Sequence, residues 1–145
     1  MKVLSNNRRA YHEYEILDEY EAGLVLVGTE VKSIKAGRVN IREAYIEIRG
    51  GEAFVVGMHV SPYKEGNLFN VDPYRERKLL LNRREIRRLH GEVTQAGLTI
   101  VPLKIYRNDK GLVKMQIGLA RGKKFYDKRE AQKERDLDRQ MERYQ

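Results

Sequence analysis

From Tyr11 to Leu119 the chain is a series of short apolar stretches, most of them closed within a few residues by a glycine-bearing turn, in an order that does not alternate strand and helix. Tyr11 to Tyr20 has a strand-like pattern, and Glu21-Ala22-Gly23 reads as a turn into a paired strand, Leu24 to Val27. Thr29 to Ala36 reads as a short helix. Thr29 is placed to cap it, Glu30 suits its positive end, and Gly37 can close it in the left-handed conformation. A hairpin follows, with Ala44 to Arg49 and Ala53 to Val60 joined by Gly50-Gly51. Ser61 to Pro73 is too punctuated for regular structure and reads as a long loop, a class of segment that often carries function. Lys78 to Leu81 is a short strand. Asn82 and Glu85 then have the reciprocal spacing of a capping box, opening a helix with Ile86 and Leu89 inward and Arg83, Arg84, Arg87 and Arg88 outward. A last hairpin pairs Leu98 to Tyr106 with Leu112 to Leu119.

About six short strands with two or three small helices leave several sheet edges to be paired, and a small closed or partly open barrel is the natural way to pair them. The expected fold is therefore mainly β with short helices: a closed β-barrel of the oligonucleotide-binding (OB) type. Residues 1–120 form this body, with the first ten polar and expected to be mobile.

Residues 121–145 differ in character. Nine of the 29 Lys and Arg and six of the 21 Asp and Glu lie beyond Ala120, which leaves the body at +5 and the tail at +3. From Asp127 onward the sizeable apolar side chains are Leu137, Met141 and Tyr144, too few to offset the entropy of ordering the segment alone. On a helix these three share one side, with Lys128, Arg135, Arg139 and Arg143 near the opposite side and Glu134, Asp138 and Glu142 in a third stripe. From Arg129 onward charged pairs four apart are like-signed, Arg135 with Arg139 and Glu134 with Asp138 among them, and each costs a free helix a few tenths of a kcal/mol. The expectation is a tail that is disordered or marginally helical when free and that folds along phosphates. A solvated charged helix with no partner is the competing reading.

A net charge of +8 attracts polyanions, of which RNA and DNA are the most abundant. Without cysteine there is no disulfide framework, no thiol nucleophile and no Cys-based zinc site. His12, His59 and His90 lack the close spacing of a metal motif, and no glycine cluster precedes a Lys-Ser or Lys-Thr pair. Glu13, Glu15, Asp18, Glu19 and Glu21 fit a solvated strand edge better than an acid/base dyad. The chain is expected to be no enzyme and to use no cofactor or metal; a nuclease built on scattered acids is the strongest enzymatic alternative. No apolar stretch resembles a signal peptide or a membrane span, so the expected location is the cytoplasm. Clustered Lys and Arg interleaved with Tyr11, Tyr63, Phe69, Tyr74 and Tyr126 favour nucleic acid.

Several strings together resemble one family. They are Asn7 to Tyr14, Glu21-Ala22-Gly23 running into Gly28 to Ser33, Ser61-Pro62-Tyr63 with Gly66-Asn67, Arg77 to Leu81, Val101-Pro102-Leu103, and Leu119 to Lys124 ending in Asp127-Lys128-Arg129. In this order they are similar to the bacterial small protein B (SmpB) family, also called SsrA-binding proteins. Arg107 and Asn82 depart from the residue types more usual there.

The resemblance implies an OB-type barrel that binds the tRNA-like domain of transfer-messenger RNA (tmRNA, or SsrA RNA) and delivers it to stalled ribosomes for trans-translation. It implies a body in the place of a missing anticodon arm and a tail that probes the empty mRNA channel. The implied partners are tmRNA, the small-subunit rRNA of the ribosome and elongation factor Tu in the delivery complex, with no membrane and a monomeric state. Carried onto this chain, the RNA-binding set of the body is Glu30, Lys32, Asn67, His12, Lys123 and Lys124. The decoding-centre set is Gly122, Tyr126, Asp127, Lys128 and Arg129, to which the cationic face adds Arg135, Arg139 and Arg143. Glu30 has two readings at this point, an RNA contact through base amino groups or service to the helix start alone. A general single-strand RNA-binding barrel and a structural ribosomal protein are the competing functions.

Overall fold

The computed structural model describes residues 1–64 and 70–123. Among the described residues nine strands and three helices follow in the order β1 (Lys2–Asn6), α1 (Arg8–Glu13), β2 (Tyr14–Leu24), α2 (Gly28–Lys35), β3 (Val39–Asn40), β4 (Tyr45–Arg49), β5 (Glu52–Val56), β6 (His59–Val60), β7 (Arg77–Leu80), α3 (Arg83–Ala96), β8 (Thr99–Arg107) and β9 (Val113–Gly122). Seven strands form one antiparallel sheet, β1-β8-β9-β2-β7-β5-β4, and β3 pairs with β6. The fold is mainly β with a few short helices, as the pattern of short apolar stretches requires.

The ladder is open where a closed barrel was expected. β4 comes back against β8, yet no hydrogen-bonded ladder joins the two outer strands β1 and β4. The reason lies on β8. Its pairing with β1 ends at Lys104, and the next acceptors are taken by Asn7: the Asn7 N–H donates to Leu103 O at 2.9 Å and its side-chain amide to Pro102 O at 2.8 Å. Pro102 has no N–H to offer a further strand. The same Asn7 caps α1 by accepting from Ala10 N–H at 3.2 Å, and α1 seats Ala10 on Val101, Leu103 and Ala120. A helix thus covers the edge that another strand would need.

Two more expectations change at the N-terminal end. The first residues, expected to be mobile, are strand β1, paired with Lys104 to Arg107, and Arg8 to Glu13 is helix where the strand was expected from Tyr11. Glu21-Ala22-Gly23 is no turn: β2 runs through it, with Gly23 paired to Lys114 on one side and Leu80 on the other. Leu80 Cβ would stand 3.4 Å from a Cβ at Gly23, so the glycine serves close strand approach. Val27, and not Thr29, is the N-cap of α2.

Other features match the sequence reading. Gly37 closes α2 at φ +81°, Gly50-Gly51 turn β4 into β5 with both φ positive, and Asn82 with Glu85 forms the capping box of α3. The core gathers Ile34, Ile41, Met58, Leu79, Leu89, Ile105, Met115 and Ile117, all fully buried, so α2 through Ile34 and α3 through Leu89 share one core with the sheet.

Candidate nucleic-acid interface

A buried network of hydrogen bonds and ion pairs in the body surrounds Glu30 on α2. Only 3% of this residue is exposed. Its Oε1 accepts from Val27 N–H at 3.0 Å and from Arg75 Nη2 at 2.6 Å, and its Oε2 from Arg75 Nε at 3.2 Å and Arg77 Nε at 2.8 Å. Arg77 is fully buried and gives its remaining donors to Met58 O at 2.7 Å and Pro73 O at 3.1 Å. Burial alone would raise the Glu30 carboxyl. The bonds from Arg75, Val27 N–H and Arg77 outweigh it and hold the group below the ordinary carboxylate range. Glu30, expected among the RNA contacts, is therefore turned inward with all its acceptor directions used, and of its two readings the structure favours internal work, extended to two arginines.

That internal work fixes a surface. Ser33 of α2 donates to Ser61 O at 2.7 Å and Ser61 N–H donates to Arg38 O at 3.1 Å, which ties the start of the 61–73 segment to α2. Asn70 clasps Tyr63 from both sides, at 2.9 Å to its N–H and 2.9 Å to its carbonyl. Tyr63 then lies under Lys32, whose Nζ is 5.5 Å from the ring centroid. The ring faces the cation and limits where it can go. Lys35 and Arg38 are exposed beside it. Asn67 lies outside the described residues.

A second cationic cluster forms where β9 meets α1. Lys123 N–H donates to Glu13 O at 2.9 Å and its Nζ to Tyr11 O at 3.3 Å, while Gly122 pairs with Tyr14. His12, Tyr11 and Arg8 are exposed on the same short helix. His12 and Lys123 are thus brought together. Glu30 and Lys32 are not with them: the two clusters lie at opposite ends of β2, which pairs with Gly122 at Tyr14 and leads into α2 after Leu24. On α3, Arg83, Arg84 and Arg87 are exposed, and Arg88 bonds Asp18 at 2.8 Å over the Tyr20 ring. The expected sites Lys124, Tyr126, Asp127, Lys128, Arg129, Arg135, Arg139 and Arg143 lie outside the described residues.

The residues missed from sequence are Arg75, Arg77 and Asn7. Nothing local distinguishes a buried arginine from the many surface ones here. A weak signal existed: Val27 precedes Glu30 by three and cannot return a capping-box bond, so the carboxylate needed partners from elsewhere. Among the described residues no group of three His, Cys, Asp or Glu is placed to hold a metal, and no helix is long and apolar enough to cross a membrane.

The model of the SmpB protein family matches residues 4–145 of the chain. An SsrA-binding protein of Enterococcus faecalis is 54% identical over 142 residues, covering 98% of this chain and 92% of that one. One from Thermosynechococcus vestitus is 56% identical over 144 residues, covering 99% and 94%. A solved chain from the structure described as "tmRNA-SmpB: a journey to the center of the bacterial ribosome" superposes with a TM-score of 0.70 at 51% identity, covering 94% of this chain and 96% of that one.

Proposed function

The chain belongs to the SmpB protein family, and from that premise we propose that it binds tmRNA and delivers it to stalled ribosomes for trans-translation. The observation that carries this reading is the likeness over nearly the whole length to SsrA-binding proteins and to a chain seen with tmRNA and the ribosome. The body is a curled, partly open OB-type barrel whose β8 edge is covered by α1.

Residues 1–120 form a body that grips the tRNA-like domain, and residues 121–145 form a tail that acts in the mRNA channel and decoding centre. Lys32, His12, Lys123, Lys124 and Asn67 face the RNA. Glu30 is a positioning residue: it holds Arg75 and the start of α2, and so the place of Lys32. Gly122 marks the bend into the tail, where Tyr126 stacks on an rRNA base and Lys128, Arg129, Arg135, Arg139 and Arg143 meet phosphates, with Asp127 among them. The cationic stripe of the tail supports this division, since the repulsion of Arg135 with Arg139 and of Arg139 with Arg143 is relieved against an anionic surface. The protein acts as a monomer in the cytosol, with elongation factor Tu in the delivery complex, and binds RNA without catalysing a reaction.

A gel-shift comparison tests the specificity. Tight binding to the tRNA-like domain of tmRNA, with weak binding to unstructured RNA of equal length, is expected; equal affinities would make the chain a general single-strand binder.

A further inference from the structure

Between the two cationic clusters the body carries a pocket that neither uses. It holds about 210 Å³ and is lined by Asn40, Glu43, Gly57, His59 and Tyr74. That is below the roughly 300–1,000 Å³ of sites for drug-sized ligands and leaves room for one flat ring. His59 and Tyr74 meet edge to face, with centroids 4.9 Å apart and planes at 63°. Tyr74 is 59% exposed, so it is not a core residue. It is nonetheless held in place: its N–H donates to Asp72 Oδ1 at 2.8 Å, and the next residue, Arg75, is locked on Glu30.

The polar lining has unspent capacity. Asn40 uses its side-chain carbonyl on Arg42 N–H at 2.8 Å, which leaves its amino group as a donor. Glu43 gives one carboxylate oxygen to Arg9 Nη1 at 3.0 Å and keeps the other. Arg9 belongs to α1 with His12, and Arg75 is bonded to the helix of Lys32, so the pocket lies on the path from one cluster to the other. On the RNA-binding reading, a strand that reaches from one cluster to the other can pass over it. A carboxylate in the lining disfavours a phosphate there and favours a neutral ring that brings a donor.

We infer that this pocket takes one unstacked adenine or cytosine of the bound RNA, an inference that rests on the RNA-binding reading above. Tyr74 supplies the stacking face, Glu43 accepts from the exocyclic amino group, and Asn40 donates to the adjacent ring nitrogen. Both bases set an amino donor beside a ring-nitrogen acceptor, the complement of this acceptor and donor. Uracil lacks the amino group.

The test is a two-dimensional NMR titration of the full chain with AMP, CMP, UMP and inorganic phosphate, paired with binding of the wild type, Tyr74→Phe and Tyr74→Leu to the tRNA-like domain. The expected result is shifts centred on residues 40, 43, 59 and 74 with AMP or CMP, weaker ones with UMP and none with phosphate. Tyr74→Leu should abolish them and weaken RNA binding roughly tenfold, about the worth of one stacked base, with the salt slope unchanged because no phosphate contact is lost. Tyr74→Phe should bind like the wild type. No shifts at the pocket, an equal response to UMP, or a Tyr74→Leu chain that binds as tightly as the wild type would overturn the pocket and leave the tmRNA reading standing. A wild type that seats AMP in the pocket but ignores the tRNA-like domain would sink the tmRNA reading instead.

Discussion

Glu30 shows how a single residue can be half legible. Its place in the first turn of a helix follows from local sequence, and Val27 N–H does bond it. Its other partners, Arg75 and Arg77, are 45 and 47 residues away, and no local pattern encodes them. Removing one member of a buried ion pair leaves the other charge without compensation, so Glu30→Ala should cost about 3–5 kcal/mol in urea unfolding. A loss below about 1 kcal/mol would mean that water relieves the arginines. The sign of the pH dependence also follows. Because the folded-state value is depressed, the contribution of Glu30 is fully present above the ordinary carboxylate value and is lost as pH falls through the lower folded-state value. Glu30→Gln should therefore flatten acid unfolding in that low range and leave the neutral-to-basic limb unchanged in slope. Lys32, by contrast, is exposed and should act on RNA alone: Lys32→Ala should reduce the salt slope of RNA binding by about one, with stability unaltered. An unchanged slope would remove it from the phosphate contacts.

Elements whose instructions are local were readable, and those set by distant partners were not. The capping box at Asn82 is complete within four residues, and Asn82→Ala should cost about 1 kcal/mol of stability by thermal unfolding. Helix α1 has a local cap in Asn7, but at six residues it is too short to stand on that alone. It exists because Asn7 bonds Pro102 and Leu103, some 95 residues on, and because Ala10 fits over Val101. The β2 segment misled in the other direction, since Gly23 resembles a turn glycine and instead admits the neighbouring strand. The break between β5 and β6 turns on Gly57, at φ +83° with 3.1 Å between a built Cβ and Glu43 O. Gly57→Ala should destabilise the chain by at least about 1 kcal/mol, from the left-handed backbone and the crowding together. An unfolding curve that overlays the wild type would show that this turn relaxes freely.

At the scale of the molecule, the sequence pattern captured a curled β body but not its open seam, because the seam is set by one asparagine, one proline and a short helix meeting in space. The candidate interface was legible as charge and aromatic residues in order, and illegible as geometry: Lys32 and the His12–Lys123 pair occupy opposite ends of β2. The proposed division of labour is that the body binds tRNA-shaped RNA by itself and that the basic tail is needed only on the ribosome. The most direct measurement compares the full chain with a chain ending at Lys124, which keeps the β9 pairing, the Lys123–Glu13 bond and the RNA-facing residues of the body, for affinity to the tRNA-like domain and for tagging on stalled ribosomes. The shortened chain should remain folded and keep RNA affinity within a few-fold while tagging is lost. A folded shortened chain that no longer binds the RNA, or one that still supports tagging, would contradict it.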